Sequence, residues 1–200
     1  MSDFGSGEGR LSELQDLVDA LKPVVDVLNE IAAPHYVGGS VASSFHGATR
    51  STMDVDIVCV LSDVAVPVLV SRLSDRFYIS ESAVRDAVRR RSCFNLIFYA
   101  NSFKVDVFVS RGRPFDIQSM QRARPHRLGD SPGVDVPIAT AEDVIISKLE
   151  WYRLTNETSQ RQWEDVSRLK ELLGDEIDRS YLQTAAQSVG VADLLEKLMK

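Results

Sequence analysis

The sequence predicts an α+β fold: a mixed β-sheet flanked by helices, followed by a C-terminal helical region. Three observations carry this. Residues 53–61 and 103–109 alternate in side-chain character with the period of two that a strand imposes. Residues 11–33 repeat apolar positions at helical spacing. From Thr140 to the C-terminus the apolar pattern is helical throughout. The expected organisation is a disordered tail over residues 1–10, an α/β core with an N-terminal helix over 11–138, and a helical region over 139–200.

Composition narrows the class. The chain has 200 residues with 44% hydrophobic content, enough for one large domain or two small ones. It has no run of about 18 apolar residues, so no membrane span is expected. The first ten residues, MSDFGSGEGR, lack the apolar core of a signal peptide. Cys59 and Cys93 both fall in apolar strand-like runs and read as buried thiols, with a reducing, cytoplasmic setting as the expectation. The net charge of −6 argues against non-specific nucleic-acid binding over the whole surface, while leaving room for a local basic patch.

The elements follow in order. Leu14, Leu17, Val18, Leu21, Val24, Val25 and Leu28 share a helical stripe, with Pro23 predicting two helices or one kinked helix. Pro34 ends it. Tyr36-Val37 is a short first strand. Gly38-Gly39 permits a tight turn, and Ser40 is the expected cap of a short helix over 41–46 that Gly47 stops. Strand 53–61 puts Val55, Ile57 and Cys59 on one face and Asp54, Asp56 and Val58 on the other. A helix over 64–73, capped by Asp63, and a strand over 77–80 come next. A basic helix over 82–91 carries Arg85, Arg89, Arg90 and Arg91. Strands 94–99 and 103–109 form a hairpin about Asn101-Ser102, with Lys104, Asp106 and Phe108 on one face. Residues 111–127, rich in arginine and broken by Pro114 and Pro125, read as a loop or edge strand with a basic surface. A strand over 134–138 ends the core. Thr140 opens a helix to Leu154, and helices over 161–173, 177–189 and 191–199 are separated at Gly174 and Gly190.

The chemistry concentrates at His35–Val60. A Gly-Gly-Ser turn leading into a helix is phosphate-friendly, because free N–H groups and the positive dipole end point together. Asp54 and Asp56 at i and i+2 leave the same strand face, Cα atoms about 6.5–7 Å apart. An acidic face of this kind needs a neutralising partner, and a divalent metal would serve. Read singly, each residue has a plain structural role. Asp54 suits a strand entry, Asp56 an exposed strand face, Lys148 a solvated helix face, and Asp165 a partner for Arg161 at i+4. Arg50 suits either phosphate or an ion pair with Asp54 or Asp56. His46 reads as a packed or surface histidine.

Together, Gly38-Gly39-Ser40, Arg50-Ser51-Thr52, Asp54-x-Asp56 and Asp106 resemble the nucleotidyltransferase superfamily typified by DNA polymerase β. Their spacing looks most like that of the bacterial AbiEii-type nucleotidyltransferase toxins and uncharacterised relatives. Lys148-Leu149 with Arg153, then Arg161-Gln162-Trp163-Glu164-Asp165, look like a fourth motif. The resemblance covers residues 34–175. It implies a nucleotidyltransferase core that moves a nucleoside monophosphate from a nucleoside triphosphate to an acceptor: an RNA 3′ end, a protein or a small molecule. It implies a two-metal site for Mg²⁺ or Mn²⁺ in which Asp54 and Asp56 bind both ions. Asp106 would bind the catalytic ion and help draw the acceptor proton. Gly38, Gly39, Ser40 and Arg50 would hold the phosphates. Lys148 would reach a triphosphate oxygen, and Asp165 would orient Lys148 or the acceptor. A cognate antitoxin is the further partner it implies.

The Gly-Gly-x-Val opening is also similar to that of tRNA CCA-adding enzymes. Ala42-Ser43 stands where those enzymes carry Arg-Asp, which disfavours that activity. The alternative function is a non-catalytic nucleotide-binding or regulatory module on the same fold. In that case Trp151, Tyr152 and Trp163 are candidates for a partner surface, with core packing the commoner role for such residues.

Overall fold

A computed structural model describes residues 5–48 and 53–200, with side chains from residue 12 onward. The elements run α1 Gly5–Glu30, β1 His35–Val37, α2 Gly39–Phe45, β2 Asp54–Cys59, α3 Val66–Leu73, β3 Phe77–Tyr78, α4 Glu81–Arg90, β4 Cys93–Phe98 and β5 Lys104–Val109. They continue with α5 Pro114–Arg122, β6 Arg124–Leu128, β7 Val134–Ile138, α6 Ala141–Leu154, α7 Gln160–Leu173, α8 Arg179–Val189 and α9 Ala192–Met199. The chain divides into two compact units that do not follow sequence order. One holds the sheet with α1, α3 and α4; the other holds α2 and α5 to α9. No helix among the described residues is long and apolar enough to cross a membrane.

In the sheet unit, seven strands lie in the order β3-β4-β5-β2-β1-β7-β6. The β2–β5 and β1–β7 pairs are parallel and the rest antiparallel, which makes the sheet mixed. α1 is one helix with Pro23 inside it, and its described start at Gly5 lies within the stretch whose composition predicts a tail. Its stripe of Val18, Leu21, Val24, Val25 and Leu28 is buried together with Val55, Ile57, Val105 and Val107 of the central strands. Asp63 sits in a 3-10 turn ahead of α3 rather than acting as its cap. β6 is an edge strand, as the proline and charge of its sequence suggest.

Gly129 shows how tightly this unit is closed. Its φ is +72°, and a Cβ added there would lie 2.8 Å from Val18 Cγ2. Both the left-handed backbone and the overlap penalise a side chain. Gly129→Ala is expected to cost about 1–3 kcal/mol, read as a lower urea midpoint with an unchanged slope.

The helical unit has its own core, with Ile145, Ile146, Leu149, Val166, Leu169 and Leu182 almost fully buried. A polar knot crosses it. Asp143, 1% exposed, accepts from Ser119 Oγ at 3.2 Å, from Thr140 Oγ1 at 2.7 Å and from the Tyr181 hydroxyl. Arg122 lies 3.4 Å from its other side and stacks 3.7 Å above the Tyr181 ring. One carboxylate therefore ties α5, α6 and α8 together. Burial first, and the bond to Asp143 second, push the Tyr181 hydroxyl well above the ordinary phenol range, so it stays a donor. Thr140 caps α6 as its sequence predicts, accepting from Asp143 N at 3.3 Å. Tyr152 is buried against Trp163, and Lys197 stands 4.8 Å above the Trp163 ring, which leaves Trp151 as the exposed member of that aromatic group.

Residues 111–127 differ from the expected loop or edge strand, since they contain α5 before β6 begins. Pro114 opens this helix rather than preventing one. At the first helical position its missing N–H costs nothing and its fixed φ is already helical. Asp116 then accepts from Arg113 N at 3.0 Å and satisfies the helix start.

Candidate functional site

The central strands build an acidic face. Parallel pairing of β2 and β5 sets Asp54 beside Lys104, Asp56 beside Asp106, and Val58 beside Phe108. Antiparallel β4 adds Asn95 beside Asp106 and Cys93 beside Phe108. The alternation that buries Val55, Ile57, Cys59, Val105 and Val107 turns these residues, Val58 and Phe108 included, to the opposite face. Asp56 and Asp106 thus sit at neighbouring points of one ladder, about 4.8 Å apart between strands. Asp54 is one step along the same face.

Asp106 is buried at 8% exposure and is held on both oxygens. Oδ1 accepts from Asn95 Nδ2, and Oδ2 pairs with Lys104 Nζ at 2.7 Å. That hydrogen bond, opposed by partial desolvation and reinforced by the charges of Asp106, Asp54 and Asp56, raises the Lys104 amine above the ordinary lysine range. Lys104 and Asn95 join this acidic face through Asp106 and are not among the motif residues. Lys104 carried a signal, since it shares a strand face with Asp106 two residues away. Asn95 became visible only with the hairpin register.

The face suits a hard divalent cation in charge and donor type, because Mg²⁺ prefers carboxylate oxygen. Two of its carboxylates are brought side by side by register. Among the described residues, however, no group of three His, Cys, Asp or Glu side chains is gathered closely enough to hold a metal ion. The cation on Asp106 in this arrangement is the Lys104 ammonium.

Cys59 is buried as expected, whereas Cys93 is exposed, because its register beside Phe108 puts it on the acidic face instead of in the core. Desolvation of its sulfur, followed by the charges of Asp106 and Asp56, pushes the Cys93 thiol up to about 12. It is therefore protonated, and a poor nucleophile, at neutral pH.

The remaining site residues belong to the helical unit. Gly38 precedes α2, and Gly39, with φ at +53°, makes the left-handed turn into it. The helix therefore starts at Gly39, and Ser40, buried within the first turn, is not its cap. Ser43 Oγ donates to Gly39 O at 3.0 Å and braces the turn. His46 is a packed histidine, its Nε2 2.8 Å from Ala139 O. Arg50 lies outside the described residues.

Lys148 is not a solvated helix residue. It is 5% exposed, and its Nζ donates to Asp165 Oδ2 at 2.7 Å and to Gln162 Oε1 at 3.3 Å. Asp165 thus partners Lys148, joining α6 to α7, rather than Arg161.

The arginine-rich stretches are largely neutralised from within. Arg85 pairs with Glu81 and Asp63, and Arg89 and Arg90 with Asp86. Arg91 donates to Arg111 O. Arg113 is forked between Asp116 and Glu150, Arg122 lies against Glu142 and Asp143, and Arg127 pairs with Asp135. These are solvated or interlocked ion pairs, which leave less positive field than the sequence suggests.

No protein-family model and no curated sequence matches the chain. Solved structures do. An antigenic nucleotidyltransferase-like protein from Paracoccidioides brasiliensis superposes with a TM-score of 0.53 at 17% identity, over 94% of this chain and 93% of that one. The solution structure of the antibiotic-resistance factor ANT(2'')-Ia gives a TM-score of 0.50 at 13% identity, over 96% and 99% of the two chains. The crystal structure of ANT(2'')-Ia with adenylyl-2''-tobramycin gives 0.51 at 12% identity, over 86% and 95%. At these identities the likeness is one of fold. The chain has the α+β nucleotidyltransferase fold: a mixed sheet flanked by helices, with a C-terminal helical region.

Proposed function

We propose that the protein is a metal-dependent nucleotidyltransferase that moves a nucleoside monophosphate from a nucleoside triphosphate to a hydroxyl-bearing acceptor, releasing pyrophosphate. The observation that carries this reading is the in-register Asp56–Asp106 pair, with Asp54 on the same face, at the parallel centre of a nucleotidyltransferase-type sheet. Bound Mg²⁺ or Mn²⁺ would neutralise charge on the attacking and leaving oxygens of an in-line displacement. Asp54, Asp56 and Asp106 would hold it. Asp106, oriented by Asn95, would accept the acceptor proton. By the resemblance, phosphate contacts would fall to Gly38, Gly39, Ser40, Arg50 and Lys148, and Asp165, paired with the Lys148 amine, would fix it.

A small hydroxylated acceptor fits better than an RNA strand. The arginines that would track a polyanion are already paired with this chain's own acids, and the net charge is −6. The fold neighbour ANT(2'')-Ia was solved with an adenylylated small molecule. Incubation with each nucleoside triphosphate, Mg²⁺ and a panel of hydroxylated acceptors, followed by pyrophosphate detection and mass spectrometry, tests this. A nucleotide-sized mass gain on an acceptor is expected. Triphosphate binding without turnover over hours, across all acceptor classes, would point to the non-catalytic module instead.

The AbiEii-type relationship, with a toxin role and a cognate antitoxin, is a second reading carried by the Arg50-Ser51-Thr52 to Asp54 spacing. It predicts growth arrest on expression that Asp56→Asn relieves.

A further inference from the structure

Lys104 stands where the acidic face calls for a positive charge. It leaves β5 on the same side as Asp106 and lies in register with Asp54 of β2. Its Nζ is 2.7 Å from Asp106 Oδ2, and the other Asp106 oxygen is held by Asn95. A buried carboxylate flanked by like charges is costly without a cation. Here the chain supplies that cation from two residues away. The lysine is also only half-buried at the edge of the face, so it has room to turn outward.

We propose that Lys104 is a resident counter-ion that must release Asp106 before a divalent cation is bound, and that it thereby sets the metal affinity of this face. The inference rests on reading the face as a metal platform. It also gives an order of events. A free cation must displace a tethered ammonium, whereas a cation carried by a triphosphate brings negative oxygens to which Lys104 can turn. Metal and triphosphate should therefore strengthen one another's binding.

The test is Mn²⁺ titration of the full chain by calorimetry for the wild type, Lys104→Gln, Lys104→Arg and Asp56→Asn. Lys104→Gln is expected to bind Mn²⁺ at least tenfold more tightly than the wild type. Lys104→Arg, which keeps the charge, should stay close to the wild type, and Asp56→Asn should bind more weakly than either. Equal affinity in the wild type and Lys104→Gln, with a loss in Asp56→Asn, would overturn the role of Lys104 and leave the metal platform standing. Absence of Mn²⁺ binding from all four, with or without triphosphate, would overturn the platform itself. A measurement on the unaltered chain guards against a misfolded variant. The Lys104 Nζ resonance should shift as Mg²⁺ is added, and saturation with Mg²⁺ that leaves it unmoved would also overturn the proposal.

Discussion

Asp56→Asn is expected to lower nucleotidyl transfer at least about 10²-fold, since even residues one step removed from a metal cost 10–100-fold when replaced. The substitution keeps the size and shape of the side chain and removes one charge. Asp56 is half-buried on β2, and its register neighbour Asp106 retains both Asn95 and Lys104. The strand pairing has no reason to fail. Without metal, the variant should melt close to the wild type, because it loses repulsion from Asp54 and Asp106 and attraction to Lys104 together. With Mg²⁺, the wild type should gain melting temperature and the variant should not. Pyrophosphate release and thermal melts with and without a chelator read both halves. Undiminished turnover in Asp56→Asn would remove the basis of the proposed function.

Asp143→Ala should be the most damaging single change in the helical unit, costing about 3–5 kcal/mol as the breaking of a buried charged network does. The carboxylate gathers Ser119, Thr140, Tyr181 and Arg122. Its loss strands three hydroxyl donors and a guanidinium around a cavity. Tyr181→Phe removes one of those bonds and keeps the ring under Arg122, so it should cost about 1 kcal/mol. Urea unfolding of the three proteins separates these values. An Asp143→Ala variant within 1 kcal/mol of the wild type, a threshold set by the ordinary worth of one hydrogen bond, would show that the knot contributes little.

Much of the acidic face was readable because a strand's period is two. The sorting of Asp54, Asp56 and Val58 from Val55, Ile57 and Cys59 needs no partner strand, and neither does the placing of Lys104 with Asp106. Strand order and register depend on contacts distant in sequence, and there the reading slipped. A two-residue turn at Asn101-Ser102 would set Asp106 opposite Ile97. The loop is longer, closing with Phe98 N donating to Phe103 O at 2.9 Å, and the true partner is Asn95. A slip of two residues preserves the face and changes only the neighbour. That is why the alternation alone sorts the carboxylates onto one face, while Asn95 as the donor to Asp106 needs the register.

The same limit explains the helical errors. Pro114 looked like a breaker because its effect depends on whether it stands first or inside a helix. Read singly, Lys148 looks exposed, because nothing local reveals Asp165 as its partner seventeen residues later; only the motif resemblance pairs the two. The arginine stretches looked like a basic surface because their acidic partners, such as Glu150 for Arg113, lie far along the chain.

The helical unit is threaded from three separate stretches, with α2 drawn from between β1 and β2 and α5 from between β5 and β6. Both meet partners encoded much later, α2 against α6 and α5 against α8. A gene cut after β7 would therefore yield neither half in working order. The upstream product would display two helices stripped of their cover, and the downstream product a core with two sides missing. Engineering that trades the C-terminal third for another must therefore redesign α2 and α5 as well.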